Sequence, residues 1–156
     1  MLANISFLIT ISISQCLSVH LENEQSIFFE VDDNIKDTIN KNNRTTLTEW
    51  FENNKTCPEG NHLKYQDYSD MFVWNKSLKS WSKRKKDTSV SRMVFVSPNE
   101  GERYYLRMLL THVSGATSFS VLRTINNIQY QTFKVACIAY DLLGDVNEFL
   151  LSKRSS

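Results

Sequence analysis

Glycine is scarce in this chain: there are four in 156 residues, Gly60, Gly101, Gly115 and Gly144, and no two lie close together. A loop that cradles phosphate needs closely spaced glycines followed by a lysine, so the sequence has no means of building a P-loop. Histidine is equally sparse, and His20, His62 and His112 are too scattered to form the paired-histidine site of a metal-dependent nuclease or a zincin helix. The three cysteines, Cys16, Cys57 and Cys137, are odd in number and contain no Cys-x-x-Cys pair, which argues against a disulfide framework and for a reducing compartment. Cys57 and His62, in the run CPEGNH, lack a second pair of ligands, so no metal site is expected. Long apolar runs are missing too. Residues 5–13 (ISFLITISI) fall well short of the roughly 20 residues of a helical membrane span, and no span is expected. A formal net charge of +1 gives the molecule no overall field, so any nucleic-acid partner has to be held by a local patch.

What is present reads as short mixed elements. Residues 18–31 alternate loosely and suit an extended segment, and residues 32–44 are polar and read as a linker. A hydroxyl residue opens TLTEWFEN, where Leu47, Trp50 and Phe51 share one helical face. Two aromatic-bearing runs, MFVW at 71–74 and SWSKR at 80–84, flank a polar stretch and predict a β-hairpin. Residues 93–96 (MVFV) predict a further buried strand. Ser97, Pro98 and Glu100 form a helix-start signature, from which a helix is expected over 98–113, burying Tyr105, Met108 and Leu109 and ended by Gly115. A short helix is expected over 118–124, a turn at Asn126-Asn127, and a last main helix capped by Thr132 and terminated by Gly144. Short strands and three to four helices without a βαβ rhythm predict an α+β domain.

Three candidate reactive groups have plainer structural readings. Glu100 and Glu102 suit the positive end of a helix, Cys137 reads as a small core residue, and Tyr104 and Tyr105 lack the metal-ligand histidines that a nucleophilic tyrosine pair would need.

The segments TTLTEWFENN, YQDYSDMFVWNKSLKSWSKRK, RMVFVSPNEGERYYLRMLLTHVSGATSF, LRT and QYQTFKVACIA strongly resemble the proteins of Helitron rolling-circle transposons. The resemblance runs from about Ser18 to about Glu148 and is most specific between Tyr65 and Phe119. In that family a Rep-type nuclease lies upstream and an ATP-dependent DNA helicase of the PIF class lies downstream. This chain resembles the stretch between them, which implies a connecting domain with no catalytic residue of its own. The carried-over positions include Phe72, Trp74, Asn75, Trp81, Arg92, Pro98, Gly101, Glu102, Arg103, Tyr105 and Gly115. The resemblance implies residues 45–152 as the connecting domain, with 18–44 an extended segment and linker, 1–17 an apolar signal-like or unrelated start and 153–156 a tail. The chain departs from the family pattern at Ser118-Phe-Ser-Val-Leu122 and Thr132-Phe-Lys-Val-Ala136, where acids near helix starts are replaced. Each lost acid removes about 0.3–1 kcal/mol of helix-dipole support.

The expected function is that of a non-catalytic, nuclear fragment that binds single-stranded DNA, with helicase or Rep domains on other chains as further partners and no cofactor. Its candidate contacts are Trp74, Lys76, Lys79, Trp81, Lys83, Arg84, Lys85 and Lys86, a run with no intervening acid that combines charge with aromatic stacking platforms. The alternatives are a decayed transposon remnant without activity, or a small secreted glycoprotein, which the apolar start and the sequons at Asn43, Asn54 and Asn75 favour.

Overall fold

The computed structural model of the chain describes residues 15–25, 43–86 and 89–143. The apolar run at 5–13, the end of the extended segment at 26–31, most of the polar stretch at 32–44, and Gly144 lie outside the described residues. The architecture is α+β. In order come β1 (Cys16–Leu17), α1 (Thr46–Thr56), β2 (Phe72–Asn75), β3 (Ser80–Lys83), β4 (Arg92–Met93), α2 (Glu102–Leu110), α3 (Phe119–Leu122), β5 (Thr124–Ile125), β6 (Ile128–Gln129) and α4 (Phe133–Ala139). The strands form separate two-stranded sheets: β1 with β4 in parallel, and β2 with β3 and β5 with β6 antiparallel.

α1 is capped by Thr45, one residue before the TLTEWFEN run, whose hydroxyl accepts from the Thr48 amide at 3.2 Å while the Thr48 hydroxyl accepts from the Thr45 amide at 2.8 Å. This reciprocal cap satisfies two donors that a helix start leaves open. Leu47, Trp50 and Phe51 are buried on one face. Aromatic rings link the elements: Trp50 meets Tyr65 at a tilt with centroids 5.3 Å apart, and Phe51 meets Phe119 at 4.9 Å and Phe119 meets Phe133 at 6.3 Å in T-shaped pairs. A single apolar core joins α1, the hairpin, α2 and α4.

The helix expected over 98–113 is divided. The Ser97–Glu100 cap forms, with the Ser97 amide donating to Glu100 Oε2 at 2.7 Å, but it opens only a 3-10 turn, Pro98–Glu100. Gly101 then adopts φ 65°, ψ −124°, and α2 starts afresh at Glu102. That backbone region is open essentially to glycine alone, which explains a glycine inside an otherwise helical pattern. α2 buries Leu106, Leu109 and Leu110, while Tyr105 and Met108 are only partly covered. Gly115 does not end the helix directly. It sits at φ 66° where the chain crosses the Asn61 carbonyl, so closely that a Cβ would lie 2.2 Å from that oxygen.

The strand expected at 93–96 is shorter than its apolar run: Met93 and Val96 are buried, but Phe95 is 79% exposed. β4 pairs with residues preceding Ser18, so the boundary drawn after residue 17 falls within the fold. Leu17 is fully buried, and the Ser18 amide donates to Thr46 Oγ1 at 2.9 Å while the Tyr65 hydroxyl donates to the Ser18 carbonyl at 2.8 Å. Arg103 Nε adds a bond to the Val19 carbonyl at 2.8 Å, and Arg107 Nε holds the Val94 carbonyl at 2.9 Å. Irregular backbone cannot be buried unpaired, and here arginines from α2 supply the missing donors.

The expected Asn126-Asn127 turn is present, both residues at positive φ (52° and 67°) between the paired Ile125 and Ile128. This is the two-residue hairpin geometry that asparagine tolerates. α4 is capped by Thr132, whose hydroxyl accepts from the Val135 amide at 3.1 Å. It ends earlier than Gly144 would have set. Asp141 takes the left-handed conformation (φ 58°), the Leu142 amide reaches the Cys137 carbonyl and the Asp141 amide reaches the Ile138 carbonyl, both at 3.0 Å. These two bonds make a Schellman termination with aspartate in the place usually held by glycine.

Glu102 has a role that its position in sequence does not suggest. Its carboxylate accepts from the Phe133 amide at 2.6 Å and the Lys134 amide at 3.3 Å, so it faces the first turn of α4 across the α2–α4 packing. The negative charge missing from the α4 start is thereby supplied from another helix.

Candidate nucleic-acid interface

The hairpin registers Phe72 opposite Lys83, Val73 opposite Ser82, Trp74 opposite Trp81 and Asn75 opposite Ser80. Side chains alternate across a strand, so Phe72, Trp74, Trp81 and Lys83 share the inner face, and the outer face carries Val73, Asn75, Ser80 and Ser82 with no cation. The basic residues therefore stand at the two ends of the hairpin. Lys76 and Lys79 occupy the turn, whereas Lys83, Arg84, Lys85 and Lys86 line the exit from β3, about 10 Å away by strand rise. Asn75 shapes the turn by accepting from the amides of Ser77 (3.0 Å) and Leu78 (2.9 Å), and Lys79 closes it at φ 47°.

Trp81 is not a stacking platform. It is 7% exposed, its indole N–H donates to the Thr46 carbonyl at 3.0 Å, and its ring packs edge-on against Tyr68 at 5.1 Å and Trp74 at 5.3 Å. A base cannot reach either face of such a ring. Trp74, its cross-strand neighbour, is half-buried and leaves part of its ring at the surface.

The exit cations also differ from one another. Lys83 Nζ lies 2.6 Å from Glu59 Oε2, each side chain more than half exposed. This mutual bond holds the Glu59 carboxyl below and the Lys83 ammonium above their ordinary pKa values. Glu59 arrives from a different part of the chain, so the run is free of acids in sequence but not in space. Arg84 turns inward: Nε donates to the Ser69 carbonyl at 3.0 Å and a terminal nitrogen to the Phe72 carbonyl at 3.4 Å. Both residues are thereby partly withdrawn from an outside phosphate. Lys76, Lys85 and Lys86 are exposed and make no ion pair among the described residues.

The turn end of the hairpin faces residues that sequence reasoning did not connect with it. A cleft of about 320 Å³ is lined by Trp74, Lys76 and Lys79 from the hairpin, Arg44, Thr45 and Thr46 at the start of α1, and Cys16 and Ser18 from the amino-terminal segment. Arg44 had been placed in a linker. No local pattern marks it, because its relation to Lys76 arises only when α1 packs on β3.

The remaining chemical candidates are structural. Cys137 is fully buried, its thiol pushed up to about 12 by burial and donating to the Tyr105 carbonyl at 3.3 Å. Tyr68, which accepts from Asn53 Nδ2 at 2.6 Å, is likewise pushed up to about 12 by burial. Asn54 is buried and its amide donates to the Ala116 carbonyl at 2.7 Å, so one of the three sequons is closed to modification in the folded chain. Among the described residues no three His, Cys, Asp or Glu side chains come together as metal ligands, and no helix is long and apolar enough to cross a membrane.

No protein-family model matches the chain, and no curated protein matches it. The Helitron resemblance accordingly rests on the segments quoted above.

Proposed function

We propose that this chain is a non-catalytic DNA-associated domain, the connecting part of a Helitron-type replicase-helicase, which holds single-stranded DNA by the cations at the two ends of its hairpin. The observation that carries the reading is the exposure of Lys76, Lys85 and Lys86 without carboxylate partners among the described residues, in a chain that is net acidic outside residues 74–86. Such a concentration of charge favours phosphate locally although the molecule is nearly neutral. A nuclear setting and helicase or Rep partners on other chains belong to the same proposal.

The test is fluorescence anisotropy of labelled oligo(dT) against salt. If Arg44, Lys76, Lys85 and Lys86 are engaged, log affinity falls against log salt with a slope of about −3, since each single-strand phosphate contact contributes about −0.7. Serine at Lys85 and Lys86 reduces the slope and weakens all sequences alike, because phosphate contacts carry no base information. Absence of binding at low salt refutes the reading. DNA-stimulated ATP hydrolysis or strand nicking that is lost on mutating this chain refutes its non-catalytic part.

A further inference from the structure

We infer that the cleft between the hairpin turn and the start of α1 is a single-nucleotide subsite, in which Arg44 and Lys76 hold a backbone phosphate and the exposed part of Trp74 receives the adjoining unpaired base. The inference rests on the DNA reading above and narrows it from a patch to a place.

Four observations converge on it. The cleft is open to solvent, and its volume of about 320 Å³ has room for one nucleotide. Arg44 and Lys76 both line it, one from the segment entering α1 and one from the hairpin turn. The carboxylate within ion-pair reach of Arg44 among the described residues is Glu49, at 3.8 Å and on a side chain only 19% exposed, a loose pair that leaves guanidinium donors for a phosphate. Trp74 lines the same cleft and is held edge-on by the buried Trp81, so its ring orientation is set before any ligand arrives. Phosphate donors beside an oriented aromatic ring are what a single-stranded ligand needs, because only an unpaired base offers a face for stacking.

Cys16 gives the cleft its own reporter. It is exposed and lines the site, whereas Cys137 is buried. The experiment uses the full chain carrying Cys57→Ser and follows alkylation of Cys16 by iodoacetamide with and without saturating oligo(dT), binding being monitored separately by anisotropy. Protection of Cys16 by the oligonucleotide is expected, and weaker protection by thymidine 5′-monophosphate. Arg44→Ser and Lys76→Ser should each weaken oligonucleotide binding about tenfold at 50 mM salt, with unchanged thermal midpoints because both side chains are exposed. Trp74→Phe should retain most of the affinity and Trp74→Ala should lose at least about fivefold. Serine at Lys85 and Lys86 should weaken binding while leaving Cys16 protected when DNA is saturating. Full binding with Cys16 alkylated at its free rate overturns the subsite and leaves the broader DNA reading standing. Absence of oligonucleotide binding to the intact chain overturns both.

Discussion

Replacing Trp81 separates a scaffold hairpin from a stacking hairpin, and the structure fixes the size of the effect. The indole is 7% exposed, donates one hydrogen bond to the Thr46 carbonyl at 3.0 Å and contacts two aromatic rings at 5.1 and 5.3 Å. Trp81→Ala removes all of this and should cost about 3–5 kcal/mol, as large-to-small core changes do. Small domains have only about 5–15 kcal/mol in total, so that variant will be close to unfolding and is a poor probe of binding. Trp81→Phe is the better one. It keeps a ring against Tyr68 but loses the hydrogen bond, about 1 kcal/mol, and leaves a small void worth about as much again. A loss of about 2 kcal/mol should appear as a lower urea midpoint at constant m-value, followed by far-UV circular dichroism. Oligonucleotide affinity, measured well below that midpoint, should stay within twofold of the parent. An unchanged midpoint together with a marked loss of DNA affinity would mean that the ring is at the surface, and the reasoning from its burial would be refuted.

Other substitutions test how distant parts of the chain are tied together. Glu102→Ala should cost about 1.5–3 kcal/mol, because a charge-assisted pair of bonds to the α4 amides is lost from a partly covered position; a loss under 0.3 kcal/mol in urea denaturation would show that the bonds are not formed. Gly115→Ala, whose Cβ would fall 2.2 Å from the Asn61 carbonyl at φ 66°, should destabilise by about 3 kcal/mol or more. Gly101→Ala, strained in backbone but meeting nothing within 4 Å, should cost less, about 1–3 kcal/mol; thermal midpoints in the reverse order would contradict this packing. His20 donates from Nδ1 to the Leu21 carbonyl at 2.9 Å and takes the Thr45 hydroxyl at Nε2, 2.7 Å away, and burial lowers its pKa from 6.5. The unfolded chain therefore binds the proton first on acidification, so the contribution of His20 is complete above about pH 6.5 and is lost as pH falls through the folded value. His20→Gln should flatten stability against pH below that point, and an unaltered slope would show that His20 does not titrate differently on folding.

The sequence by itself determined the features that close within a few residues. The Thr132 cap, the Asn126-Asn127 turn, the hairpin flanked by Trp74 and Trp81 and the buried Leu47, Trp50 and Phe51 face of α1 were all legible, because each is set by a donor, a φ angle or a side-chain period internal to one short segment. Where a local signal competed with backbone geometry it misled: Ser97 and Glu100 formed their cap, but Gly101 broke the helix after one turn. The fate of the charges was decided only by the tertiary structure. Lys83 and Arg84 look equivalent to Lys85 and Lys86 in the sequence, yet Glu59 neutralises the first and buried carbonyls engage the second. Arg44 joins Lys76 across a cleft, and Glu102 serves a helix that begins 31 residues later. Coulomb attraction and desolvation depend on separation in space, so a run of charge in the sequence gives the number of cations, and only packing determines which of them still face the solvent.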